Sequence, residues 1–226
     1  MKTCADILAR LRSLADPINA AGMARFGINK EGTLGVSVPL LRAIAKEVGR
    51  SHQLAIELWD SGIHEARVLT AFIGSAKELN EDTMERLALE TDSWDICDQL
   101  CGELFAYHEL RFVKAMQWAE RPEEFVKRSG FALMARLAVR DKKAPDEAFT
   151  ALLPLIEKHA TDERNMVKKA VNWALRQIGK RSRRLHELAI GSGERIRAMD
   201  DKTARWIAGD ALRELRKPEI IARIKK

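Results

Sequence analysis

Apolar side chains recur three and four residues apart along almost the whole chain, as in Leu40, Leu41, Ile44, Ala45, Val48 and again in Phe131, Leu133, Met134, Leu137. That spacing puts them on one face of an α-helix, and the alternating runs that would mark half-buried strands are absent. The pattern therefore predicts an all-α protein. Polar or Gly/Pro-bearing stretches interrupt it at Asp16-Pro17, Gly32 to Pro39, Gly49-Arg50-Ser51, Ser61-Gly62, Asn80-Glu81-Asp82, Arg121-Pro122, Lys143-Ala144-Pro145, Gly191-Ser192-Gly193 and Lys217-Pro218. About a dozen helices of roughly 9 to 18 residues joined by tight turns follow from these breaks.

Internal similarity narrows the architecture. The segment from Phe125 to Leu133 (FVKRSGFAL) lines up with Met166 to Ala174 (MVKKAVNWA), an offset of 41 residues that is close to one HEAT-type repeat. Looser echoes begin at Arg67 and at Arg205. Stacked pairs would bring a basic residue back at the same place in successive helices, giving an α-solenoid of antiparallel HEAT-like helix pairs, curved, with a basic concave groove. No stretch is long enough to serve as a linker, so residues 1–226 are expected to form a single HEAT-like-repeat domain.

Charge sharpens this picture. The net charge is +6, but residues 1–110 carry 11 basic and 17 acidic side chains while residues 111–226 carry 28 and 16. From Arg164 to Arg184 there are eight basic residues and no acidic one. So lopsided a field suits a polyanion, nucleic acid first, although a solvated basic face would look the same in composition. The N-terminus lacks the layout of a secretory signal and no apolar run reaches membrane-spanning length, so a cytosolic protein, nucleoid-associated when bound to DNA, is expected. Three cysteines make no disulfide framework. Cys97 and Cys101, four apart and without a histidine at ligand spacing, read as core residues; neither a metal nor a cofactor is expected.

Two constellations could carry chemistry. In Ser93-Trp94-Asp95-Ile96-Cys97-Asp98, the indole of Trp94 and the carboxylate of Asp98 share a helix face at the margin of a buried stripe made by Cys97, Leu100, Cys101 and Leu104. A carboxylate there is costly unless it is paired or used, so Asp98 either bridges to a neighbouring repeat or serves a reaction. Asp92 and Asp95 read as helix-start residues. Lys169, Trp173, Arg176 and Lys180, spaced four, three and four, put an aromatic ring inside a basic column, which suits phosphates and a stacked or cationic base. No Gly-rich phosphate loop, nucleophile elbow or helix-hairpin-helix signature occurs, and the histidines (His52, His64, His108, His159, His186) are scattered and read as surface or capping residues.

Taken in order, four segments resemble the AlkD-like DNA glycosylases, HEAT-like-repeat enzymes of bacterial DNA alkylation repair. They are Met23-Ala24-Arg25-Phe26 with Leu34-Gly35-Val36, Pro39 and Arg42; Leu58-Trp59 with Glu65 and Arg67; Ser93-Trp94-Asp95 with Asp98; and Val126-Lys127-Arg128 with Lys168-Lys169-Ala170, Trp173, Leu175 and Arg176. The resemblance implies that Asp98 is the catalytic carboxylate, Trp94 and Trp173 the two cleft tryptophans and Arg128 the arginine holding the DNA backbone near the lesion. Phe26, Lys127, Lys168, Lys169, Arg176 and Lys180 are then DNA-binding residues. Phe26 stands where some members have tyrosine, and Ser93 where a tryptophan can precede the catalytic one.

The activity implied is excision of cationic N3- or N7-alkylated purines from duplex DNA by hydrolysis of the N-glycosidic bond, monofunctional and without flipping the lesion into a pocket. The protein would be a monomer with no obligate protein partner and no membrane contact. The competing readings are a non-catalytic relative that binds distorted or branched DNA and a helical-repeat scaffold for other proteins.

Overall fold

The computed structural model describes residues 3–224, and no strand occurs among them. The helices are α1 (Cys4–Ser13), α2 (Pro17–Ala24), α3 (Val38–Val48), α4 (His52–Asp60), α5 (His64–Ile73), α6 (Glu81–Leu89), α7 (Trp94–Glu103), α8 (Arg111–Ala119), α9 (Glu124–Arg140), α10 (Asp146–Thr150), α11 (Leu153–Lys158), α12 (Asn165–Gly179), α13 (Arg183–Arg197), α14 (Lys202–Leu215) and α15 (Pro218–Ile221). A short 3-10 turn, Phe105–Tyr107, follows α7. None of these helices is long and apolar enough to cross a membrane.

Local chemistry explains most boundaries. The Asp16 carboxylate accepts from the Ile18 and Asn19 amides just where Pro17 starts α2, and Asn80, Ser182 and Asp201 cap α6, α13 and α14 in the same way. The expected break at Gly191-Ser192-Gly193 does not occur: α13 runs straight through it. Packing is the reason. A Cβ at Gly193 would lie 2.8 Å from a Leu212 methyl, so the small residue lets α13 and α14 approach closely, and the Ser192 hydroxyl donates to Glu157 Oε1 at 2.7 Å. Burial on one face there outweighs the low helix propensity of glycine.

The chain divides into two compact units, residues 1–108 and 109–226. In the first, α5 packs against α3, α4 and α7 and is buried along most of its length, its Leu69 and Ile73 sharing the core with Leu58 and Trp59 of α4. In the second, α9 plays the same part. It packs on α8 and, most extensively, on α12, and α12 in turn packs on α13 and α14. Trp118, Phe131 and Phe149 are its largest fully buried side chains.

One loop of the first unit is held by a buried acid. Both Glu65 oxygens accept from the Leu34 amide (3.1 and 2.9 Å), and Oε1 also accepts from those of Gly35 (2.6 Å) and Val36 (3.2 Å). Gly35 sits at φ +85°, where a Cβ would meet the Asp16 carbonyl oxygen at 2.1 Å, so only glycine fits this turn.

Candidate functional site

Trp94 and Asp98 lie on α7, half-buried, beside the fully buried Cys97, Leu100 and Cys101. They stand at the margin of the buried stripe, where the helical spacing puts them. The start of α7 is tied down more firmly than the sequence suggests. Ser93 Oγ donates to Asp95 Oδ1 at 2.6 Å, and His64 Nε2, at the first turn of α5, donates to Asp95 Oδ2 at 2.8 Å. Burial disfavours both charges, yet the bond and the mutual attraction outweigh it: His64 is raised above its ordinary value and Asp95 held below. Asp95 is thus an interhelical anchor as well as a helix-start residue.

Trp94 itself is fixed at its polar end, because Nε1 donates to the Phe26 carbonyl at 3.0 Å. The Phe26 ring is 72% exposed, so residue 26 contributes its backbone to positioning Trp94 and leaves its side chain in solvent. Arg42 of α3 braces the far end of α7 by donating to Gln99 Oε1 (3.3 Å) and Glu103 Oε1 (3.1 Å).

In the second unit, the residues expected to grip phosphate fall into two kinds. Arg128 is buried, and Nη1 donates to the Met166 carbonyl at 2.8 Å, joining α9 to the first turn of α12. Lys127 is buried beside it. Its Nζ donates to His159 Nδ1 at 3.2 Å and stands 3.8 Å from Asp162 Oδ2; desolvation lowers its pKa despite that carboxylate. Burial and the Lys127 charge likewise lower His159, whose Nε2 donates to Glu120 Oε2 at 3.2 Å.

The column on α12 is more open. Lys169 is exposed, and Lys168 and Trp173 are half-buried. The Arg136 guanidinium of α9 lies 5.0 Å from the Trp173 ring centroid and the Lys168 ammonium 5.5 Å from that of Trp206 on α14. Arg176 and Lys180 both pair with Glu214 of α14, Lys180 Nζ at 2.6 Å, and Arg176 also faces Asp210 at 3.8 Å. Two of the expected phosphate contacts are therefore neutralised within the protein.

The sequence reading of the histidines needs correction. His64 and His108 are buried, His64 on Asp95 and His108 with Nε2 2.9 Å from the Leu79 carbonyl oxygen, because each supplies a donor that a buried acceptor needs. Sequence reasoning also missed Arg136 and Glu214. The pair Asp210 and Glu214 repeats the four-residue spacing of Arg176 and Lys180 on the neighbouring helix, and only the packing of α12 on α14 makes that a signal. Among the described residues no group of three or more His, Cys, Asp or Glu side chains could hold a metal ion.

A solved structure described as "a new family of proteins related to the HEAT-like repeat DNA glycosylases with affinity for branched DNA structures" superposes with a TM-score of 0.78, covering 94% of this chain and 95% of that one at 17% identity. The fold is thus all-α and HEAT-like. A designed armadillo repeat protein, YIII(Dq)4CqI, aligns with a TM-score of 0.36 and 14% identity over 77% of this chain and 91% of its own. No curated protein matches. The sequence model of a family described as DNA alkylation repair enzyme matches residues 7–215, nearly the whole chain, and on that match the chain belongs to the DNA alkylation repair enzyme family.

Proposed function

We propose that this protein is a monofunctional DNA glycosylase that hydrolyses the N-glycosidic bond of cationic N3- and N7-alkylated purines in duplex DNA. The observation that carries the reading is Asp98, a half-buried carboxylate one turn from Trp94 on a helix whose start is locked by His64 and Asp95, in a chain of the DNA alkylation repair family. Alkylation at N3 or N7 already makes the purine a good leaving group, so little general-acid help is required. As the bond to the base breaks, positive charge moves onto the sugar. A fixed anion stabilises that transition state more than the ground state, and Asp98 also has the chemistry to orient the attacking water. Trp94, one turn from Asp98 on the same helix, would offer a π-face to the cationic nucleotide, worth about 0.5 to 2 kcal/mol. The exposed and half-buried lysines of α12 would hold phosphates, and the lesion would stay stacked in the duplex.

The experiment is single-turnover release of N7-methylguanine from methylated duplex DNA, set beside affinity for the same duplex and for a branched junction. Base release dependent on Asp98 supports the glycosylase. One observation favours a second reading, a DNA-binding member without excision: the HEAT-like neighbour has affinity for branched DNA. Tight junction binding with no base release would select that reading.

A further inference from the structure

We propose that Trp206 is a stacking platform for an unpaired nucleobase, so that this protein binds a duplex flanked by single-stranded DNA more tightly than a blunt one. The inference rests on the DNA-binding reading of α12 and goes beyond it, because Trp206 lies on the next repeat.

Repeat register is the first ground. Shifted by 37 residues, α12 superposes on α14 in burial: Val167, Ala170, Val171, Ala174, Leu175 and Ile178 are buried, and so are their counterparts Ala204, Ile207, Ala208, Ala211, Leu212 and Leu215. Asn172 Nδ2 donates to the Ile207 carbonyl at 3.0 Å, which ties the two helices together. In this register Trp206 is the counterpart of Lys169, itself 41 residues after Arg128. An indole thus stands on α14 at the place in the register where α9 and α12 carry a cation.

Exposure is the second ground. Trp206 is 45% exposed, whereas Trp59 and Trp118 are completely buried. The core has not taken this ring in. The Lys168 ammonium lies 5.5 Å from its centroid. An aromatic face beside a cation suits a nucleotide, whose base stacks while its phosphate meets the charge. A paired base inside a duplex has both faces covered by its neighbours, so only an unpaired or terminal base can use the platform.

The test compares short duplexes, blunt or with a single-stranded overhang of either polarity, in equilibrium binding to the wild-type protein, Trp206→Ala and Trp206→Phe. Stacking of one base corresponds to roughly a five- to hundredfold change in affinity. The overhang should tighten wild-type binding by a factor in that range, and Trp206→Ala should abolish the gain while costing a blunt duplex, whose end pairs expose only one face each, much less. Trp206→Phe should keep most of it. Replacing the overhang bases by abasic sites should erase the gain for the unaltered protein, a control that does not depend on any variant folding. Equal loss by Trp206→Ala on blunt and overhang DNA, or no overhang gain in the wild type, overturns the proposal. Failure of the wild type to bind any of these DNAs would instead overturn the DNA-binding reading on which it rests.

Discussion

Asp98 and Asp95 stand three residues apart on α7, and they answer to different experiments. Asp98→Asn keeps the size and hydrogen-bonding reach of the side chain but removes its charge. Duplex affinity should hold or rise slightly beside phosphates, while single-turnover excision should fall about a hundred- to a thousandfold, the usual cost of losing one preorganised electrostatic contact. An unchanged excision rate would remove Asp98 from the mechanism; a lowered melting temperature with parallel loss of binding would mark it as structural. Asp95 is tied to His64, so its signature is a pH dependence of stability. His64 is raised in the folded protein, so its contribution is complete below the ordinary histidine value of about 6.5 and is lost as pH rises through the higher folded value. Asp95 is lowered, so its share is complete above about 3.9 and is lost as pH falls through the folded value. Thermal melting should therefore show a stability decline above about pH 6.5 that Asp95→Asn abolishes, along with a loss on the order of 3 kcal/mol from breaking a buried pair. A variant with the wild-type pH profile would show that the pair does not titrate as described.

Close approach between elements decides how the second unit is built. Gly193 lets α13 reach the Leu212 side chain on α14, so Gly193→Val should overpack that contact and cost about 1 to 3 kcal/mol, read as a lower melting temperature. Leu212→Ala should recover part of the loss in the double variant. An undiminished melting temperature for Gly193→Val would mean that the helices separate freely. Between α12 and α14, Glu214 holds Arg176 and Lys180. Glu214→Gln would release both cations, so affinity for a blunt duplex should rise and the salt dependence steepen by about 0.9 in log–log slope for each phosphate gained. Unchanged or weaker binding would show that these two side chains do not face DNA.

At the scale of the whole molecule the charge is divided between the units. Residues 1–108 carry 11 basic and 16 acidic side chains and residues 109–226 carry 28 and 17, so one unit is negative and the other strongly positive. On the DNA-binding reading the positive unit would supply most of the salt-dependent attraction to DNA. The proposed excision chemistry carries a limit of its own. With an anion in place of a general acid, only bases made cationic by alkylation should leave, so N7-methylguanine should be released while uracil and hypoxanthine stay. Strands should remain uncut, since β-elimination usually needs an amine that forms a Schiff base. Lys127, whose pKa is lowered by burial, is the amine to watch: a covalent complex trapped with borohydride would refute the monofunctional reading.

Periodicity alone was enough for the helical class and most of the short connections, because amphipathic spacing and capping residues act locally and leave their mark in neighbouring positions. Family membership was legible as a resemblance carried by four segments in order, among them Trp94 with Asp98 and the basic residues of α12. What the chain does with each side chain was not legible. Glu65 and the Leu34-Gly35-Val36 turn stand thirty residues apart in sequence, and only the fold joins that carboxylate to those amides. His64 became a buried partner of Asp95, Gly193 a contact instead of a break, and Arg176 and Lys180 ion pairs of Glu214, each through a neighbour distant in the chain. Hydrogen bonding and close packing act through space. Local sequence therefore determined which helices form, and tertiary structure decided which charges remain available to a partner and which are used within the protein.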